Sequence, residues 1–515
     1  MRSLLHYLFI PFWVARSLAL KTYWRLRAVG FRVYWKMRSL LHYLFIPFWV
    51  ARSLALKTYW RLRAVGFRFY WIMRSFPYRI KLWARNVFYK HLYKYTAIKA
   101  FRSWLRSLSN QTFKLKTRLI HGLKGRKYHL VASSSFIANN GLNSLVIDPA
   151  GDTNIKGPRF IGDYDFSPVG DHIVKLALPK LEIMPFNEAV VIGGTNFVIF
   201  DGCAIHPDEY IPERDVCPAE LNGIAKIDLH SKLISIHSGR EKKIEKAVSL
   251  LGSCTGNYAH WLTETLPKLL LVDSTDEFND YPLLVDDWIH PNFLDSIALL
   301  NKNNREIIRA RRWEACAIES LVEISPSAYV PPEYRYFLDT KKLDSPRSND
   351  FPFSRTALNM LRDSVTRAVG SNRPDGPKKI YLYRSRESCG NTRHVLNIEA
   401  IERLVKAHDY EMIDPAKFSF REQVLLFANA EKIVSPLGAA LANTIFTRPG
   451  CKIVGLSPYY VNANYYYFSN FMGALGHELY YVLGPQKNQG GHPFHKDYEI
   501  DINALARALE FLDSK

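Results

Sequence analysis

No aspartate or glutamate occurs before Asp148. That absence divides the chain. Residues 1–127 hold 28 lysines and arginines, leaving 41 of the 69 basic residues to face all 48 acidic ones, a balance of −7. The net charge of +21 therefore belongs to the N-terminal part alone. Cysteine is also scarce. Its six positions, 203, 217, 254, 316, 389 and 451, are far apart and form no C-x-x-C pair, which argues against a zinc knuckle or a disulfide framework and fits a reducing compartment. No run of the basic segment is long enough to span a bilayer. "LLHYLFIPFWVA" (4–15, and again 40–51) has twelve residues and a proline, against the ~20 apolar residues a spanning helix needs. Neither G-x-S-x-G nor H-E-x-x-H occurs, so a serine-hydrolase elbow and a zincin site are excluded.

What the basic segment does have is a tandem duplication. Residues 1–36 recur as 37–72 with two changes, Val33 to Phe69 and Lys36 to Ile72, and Met73 starts a weaker echo. Two copies cannot build a stacked solenoid core, and translation could also start at Met37 or Met73. Arginine and lysine mixed with Trp, Tyr and Leu suit the headgroup region of a membrane, where aromatics settle and cations meet anionic lipid. The expectation is a basic, helical arm, 1–127, attached to an anionic membrane surface at the cytoplasmic face. A signal sequence would need a small-residue cleavage site. A nucleic-acid arm would also be basic and aromatic, but "LFIPFWV" is greasier than that role requires. An arm with no specific partner is the bland alternative.

The rest of the chain changes texture twice. From 128 to 245, short alternating apolar stretches such as "EAVVIGGTNFVIFDG" read as hairpins. Strand and helix patterns then alternate, pause in the Pro- and Gly-containing stretch 340–378, and restart at "KKIYLYRS". The pattern predicts an α/β protein with a β-hairpin-rich start, a first α/β domain over 128–345 and a doubly wound second one over 346–515. A ligand would lie near the C-terminal ends of the parallel strands.

Three stretches can carry chemistry. "GNYAHWLTETLP" (256–267) places His260 and Glu264 on one helix face, with Asn257 as an N-cap candidate. Taken alone, the pair reads either as a structural contact or as a base oriented by a carboxylate, and it lacks a third ligand for a metal. "YLYRSRESCGNTRHVLN" (381–397) delivers Arg384, Arg386 and Arg393 after a strand, where guanidinium groups can grip phosphate or be merely solvated. "VSPLGAALAN" (434–443) is a strand followed by a helix that starts at Gly438–Ala439, a turn suited to an anion or to plain packing. The only D-x-D considered for a metal-bound donor, Asp163–Tyr164–Asp165, lies in the hairpin region.

These three stretches, in this order, resemble the N-Y-x-H-W…E…P, R-x…R-x-x-x-N and E-Q…A…G-A-x-x-x-N…F…P-G segments of glycosyltransferase family 61. That family includes capsular-polysaccharide enzymes and xylosyl- and N-acetylglucosaminyltransferases. The likeness covers roughly 180 to 510. It implies a GT-B fold, two Rossmann-like domains facing a cleft, and inverting, metal-independent transfer from a nucleotide sugar, UDP-linked by expectation, to a glycan acceptor, with no cofactor. By motif position it implies His260 as base with Glu264 orienting it and Asn257 and Trp261 on the acceptor side. It implies donor contacts at Arg384, Arg393, Asn397, Gln423, Gly438, Ala439 and Asn443. Two positions depart from the family pattern. Leu437 stands where many members have His, and Gly455 where many have Glu. A catalytically inactive, membrane-associated scaffold is the alternative those departures leave open.

Overall fold

The computed structural model describes residues 125–514, except 165–171, 216–224, 238–240, 332–344, 371–375, 384–392, 488–492 and 494–495. The chain divides between Thr112 and Phe113, and the description concerns the second unit. The duplicated arm and its membrane reading lie outside the described residues, as do Arg384 and Arg386. Among the described residues no helix is long and apolar enough to cross a membrane.

The C-terminal half is a doubly wound sheet. Strands Lys379–Leu382, Glu411–Ile413, Lys432–Pro436, Lys452–Tyr459 and Glu478–Pro485 are all parallel. Numbered in chain order, they lie side by side as 2-1-3-4-5. Their residues are buried on both faces, "KIVSP" almost wholly so, as a parallel sheet covered by helices requires. Tyr381, Val434, Val454 and Val482 pack under the helices Ile398–Ala407 and Ile502–Asp513. Ile380, Ile433, Ile453 and Tyr481 face the helix Phe420–Ala428, the 3-10 helix Ala439–Phe446 and the helix Tyr466–Leu475. Local chemistry sets the starts of these helices. Ser419 and Glu422 form a reciprocal capping box, and Asp501 accepts from the N–H groups of Asn503 and Ala504 at 2.9 and 3.1 Å. A sixth strand, Arg159–Phe160, joins the edge from the other half of the chain.

In the first half, the expected hairpin-rich start and the parallel strands of the α/β region are continuous. Hairpins and parallel strands belong to one mixed sheet of eleven strands. Strands Glu241–Ser249, Leu283–Asp286, Ile307–Ala310 and Ala315–Ile324 pair in parallel. The long strand Leu181–Ile192 then pairs antiparallel with Ala315–Ile324 and hands the sheet on to the hairpin strands. The physical reason is edge protection: the hairpins cover the backbone groups that Ala315–Ile324 would otherwise leave open.

Helix Arg355–Val369 packs on Leu266–Val272 and Pro291–Leu300 and also on Phe420–Ala428, Ala439–Phe446 and Tyr466–Leu475. Its Leu358, Leu361 and Val365 are wholly buried. One apolar cluster consequently runs from Trp261 and Phe293 through Phe351 and Phe353 to Phe420 and Phe471, across the expected boundary at 345/346. The elements carrying His260 and the glycine turn share this cluster.

Candidate active site at the strand switch point

Pro267 shapes the histidine segment. It has no N–H, so the carbonyl of Thr263 loses its usual partner four residues on; the Ser327 hydroxyl donates to it at 2.6 Å. The backbone passes from a short α-turn, Tyr258–His260, through a π-turn, Trp261–Thr265, into helix Leu266–Val272. Single π-turns within helices recur at functional sites. Asn257 caps the start, its side chain accepting from the Ala259 N–H at 3.0 Å. His260 is 5% exposed, and its Nδ1 is hydrogen-bonded to the Glu264 carboxylate. Bonding to an ionised carboxylate holds the ring proton on Nδ1 and leaves Nε2 as the basic nitrogen. The ring lies 6.2 Å from that of Tyr467.

Trp261, expected on the acceptor side, lies in the core. It is wholly buried, stacked on Phe293 at 5.1 Å, with its indole N–H donated to Ser296 at 2.9 Å. The π-turn directs it into the core.

The glycine turn follows strand Lys432–Pro436. In a 2-1-3-4-5 sheet, strands 1 and 3 lead to opposite faces, and a crevice opens between the loops that follow them. Here those loops hold Arg393 and Leu437–Gly438. Arg393 is 8% exposed and donates from Nη2 to the Leu437 carbonyl at 2.6 Å, placing a buried guanidinium at the switch point. Burial pushes the Tyr460 phenol up to about 12, and the nearby Arg393 charge opposes that rise. The expected helix after Gly438 is a 3-10 helix. Gly438 and Ala439 still form its entry, with backbone N–H groups not used by a preceding turn.

Three other residues expected as donor contacts make hydrogen bonds within the protein. Tyr258 donates its hydroxyl to Asn443 Oδ1 at 2.6 Å, Asn443 Nδ2 to Gln423 Oε1 at 2.8 Å, and Gln423 Nε2 to the Phe418 carbonyl at 3.1 Å. Asn443 is fully buried and engaged at both ends of its amide. Asn397 donates to the Ile500 carbonyl at 2.7 Å and accepts from the Ile500 N–H at 3.0 Å. Asn443 and Gln423 are thus a buried tie between the histidine segment and the second sheet, and Asn397 staples the C-terminal segment. A sequence motif marks such residues without showing which way they point.

Asp286 was not expected. It is fully buried and accepts from Gly194 N at 2.9 Å, Gly252 N at 3.3 Å and Thr255 Oγ1 at 2.5 Å. Burial pushes its carboxyl up to about 7, against the pull of those donors. It joins the hairpin turn at Gly194 (φ +81°) to the loop that leads into His260. The neighbouring Trp288 indole rests on Gly194 and Gly256, where an added Cβ would lie 3.1 and 3.3 Å from it. The Arg312 guanidinium lies 4.8 Å from the ring centre. The sequence signal was "LLVDD", an apolar strand ending in acid.

Of the D-x-D pair, Asp163 is exposed and ion-paired with Arg507, and Asp165 lies outside the described residues. Among the described residues, no three His, Cys, Asp or Glu side chains come together as a metal cage.

Residues 258–454 match the family model described as Glycosyltransferase 61. The chain carries a glycosyltransferase family 61 region. No curated protein matches the chain. The matched span begins at Tyr258, two residues before His260, and contains Arg393 and the Gly438 turn, so the family region and the switch-point site coincide. The two departures from the family 61 pattern also meet in space. A Cβ on Gly455 would lie 2.8 Å from Leu437 Cδ2 and 3.2 Å from Leu479 Cδ1. Leu437 fills the space that a side chain at 455 would need. Gly455→Ala is expected to destabilise the fold by about 1–3 kcal/mol through overpacking. Adding Leu437→Ala should recover part of that loss, a non-additivity readable from denaturant midpoints of the two single variants and the double.

Proposed function

We propose that the protein is an inverting, metal-independent glycosyltransferase, of GT-B type, that moves a sugar from a nucleotide sugar to a glycan acceptor. The observation that carries this reading is the Tyr258–Asn443 hydrogen bond, which holds the turn bearing His260 against the helix entered at Gly438. In this reading, the acceptor hydroxyl attacks the anomeric carbon opposite the leaving nucleotide and gives its proton to His260 Nε2. Glu264 keeps the ring in the required tautomer. Arg393, the N–H groups after Gly438 and, by motif position, Arg384 balance the charge that develops on the leaving diphosphate. Fixed cations then do what a bound metal does in other transferases.

The decisive assay is turnover or hydrolysis of a UDP-sugar panel with and without EDTA. Undiminished activity in EDTA is the expected result; loss rescued by Mn²⁺ would refute the metal-independent mechanism, and absence of turnover with every donor would refute the enzyme. We further infer a role in capsular or other surface polysaccharide synthesis at the inner membrane face, because residues 1–127 combine cations with interfacial aromatics. Vesicle sedimentation of the full chain should show a preference for anionic over neutral lipid, weakened by salt; equal binding to both would count against it.

A further inference from the structure

A second polar cleft, of about 230 Å³, is lined by Lys156, Arg159, Arg355, Ser469, His477 and Glu478 among others. Its wall joins strand Gly151–Lys156 to the end of helix Tyr466–Leu475 and to Arg355, the first residue of a 15-residue helix, whose N-terminal end adds positive partial charge. Glu478 lies 3.1 Å from Lys156 Nζ and 3.5 Å from Arg159 Nη1. Arg355 has no carboxylate partner among the described residues, so three cations face one acid.

Two buried groups in this wall are incomplete. Arg159 is 8% exposed and His477 7%, and Arg159 Nε and His477 Nδ1 each lack a hydrogen-bond partner. Arg159 uses Nη1 on the Tyr480 hydroxyl at 3.0 Å and lies over the same ring. His477 Nε2 faces the Thr444 carbonyl at 3.0 Å and the Thr447 hydroxyl at 2.9 Å. A carbonyl can only accept, so the ring proton sits on Nε2 and Nδ1 is an acceptor. Burial also pulls this histidine down to about 4, keeping it neutral. Buried polar atoms left without partners are costly. The wall as a whole presents excess positive charge, and one donor and one acceptor buried within it are left without partners.

We propose that this cleft binds a small hydroxylated anion, a monosaccharide phosphate or a hexuronate, at a site separate from the donor crevice. The anion answers the cations, and a hydroxyl answers the acceptor at His477. The cleft volume suits a single sugar-sized anion, lying below the roughly 300 to 1,000 Å³ of sites for drug-sized ligands. The cleft shares helix Tyr466–Leu475 with Tyr467, whose ring faces His260, so the occupant braces the wall of the proposed active site. Binding itself does not depend on the protein being a transferase.

The test is calorimetry on the full chain with glucose 1-phosphate, glucuronate, inorganic phosphate and neutral glucose. Arg355→Ala and Lys156→Ala, both at exposed positions, are compared with Arg393→Ala in the donor crevice. One or both sugar anions should bind more tightly than phosphate, and glucose should not bind. Whichever binds identifies the source of the charge. Arg355→Ala should weaken binding roughly tenfold, the scale of one charge-assisted hydrogen bond, while Arg393→Ala leaves it unchanged. Loss in Arg393→Ala with retention in Arg355→Ala would place the anion in the donor crevice and overturn the proposal. Binding of phosphate as tight as that of the sugar anions, or of none of them, would overturn it as well.

Discussion

His260→Ala is expected to lower kcat by about 10²–10⁴-fold, the range attributed to a positioned general base, with little change in donor affinity. The split follows from geometry. His260 belongs to the first half of the chain, whereas the groups proposed to hold the diphosphate, Arg393 and the backbone after Gly438, lie at the ends of strands 1 and 3 of the second sheet. Removing the imidazole takes away the proton acceptor and leaves the anion grip intact. Glu264→Gln should produce a smaller loss, because an amide still contacts Nδ1 but no longer fixes its proton. Steady-state kinetics of both variants with a saturating donor checks this. A parallel rise in donor KM with unchanged kcat would show that His260 shapes the site without taking the proton.

Asp286→Ala is expected to cost about 3–5 kcal/mol of folding stability. The carboxylate accepts from two backbone N–H groups and one hydroxyl in a place without solvent. Alanine would leave buried donors unpaired, each worth about 1–3 kcal/mol. Asp286→Asn keeps the volume and one acceptor oxygen, so its loss should be smaller. The acid also predicts a pH dependence. Its folded value of about 7 lies above the unfolded value of about 3.9, so the folded state holds the proton more strongly. The stabilising contribution is complete below about pH 4 and is lost as the pH rises toward and through 7. Urea unfolding from pH 4 to 8, wild type minus Asp286→Asn, should isolate that downward slope. A flat difference would mean that Asp286 is ionised throughout. The alanine variant should also lose activity, since Asp286 holds Gly252 and Thr255, which lead directly into the Asn257 cap of the histidine turn.

Much of the site was legible locally. The cap at Asn257, the adjacency of His260 and Glu264, the proline that redirects the helix, and the strand–turn–helix at Gly438 all depend on neighbours within a few residues. The alternation after residue 378 was enough for a doubly wound sheet, because buried parallel strands and amphipathic helices each impose their own period. The strand order was not legible, since pairing partners are distant in sequence. The edge strand Arg159–Phe160 is the extreme case, lying 321 residues from its partner Tyr480. The intramolecular partners of Trp261, Asn397, Gln423 and Asn443 were not legible, for one reason. Residue type and spacing identify polar or aromatic side chains near a site, and only packing decides whether their atoms face a substrate or one another.

The sequence by itself determined the charge division at Asp148, the α/β character, the family 61 motifs and the His260–Glu264 face. The tertiary structure alone decided that the hairpins and the first parallel strands form one sheet. It alone set Leu437 against Gly455, let Asp286 tie two loops together, and joined Tyr258 to Asn443 across 185 residues. Periodicity and capping are short-range consequences of backbone geometry. Long-range contacts exist only after the core has closed, when each buried polar atom must find a partner wherever the fold has brought one.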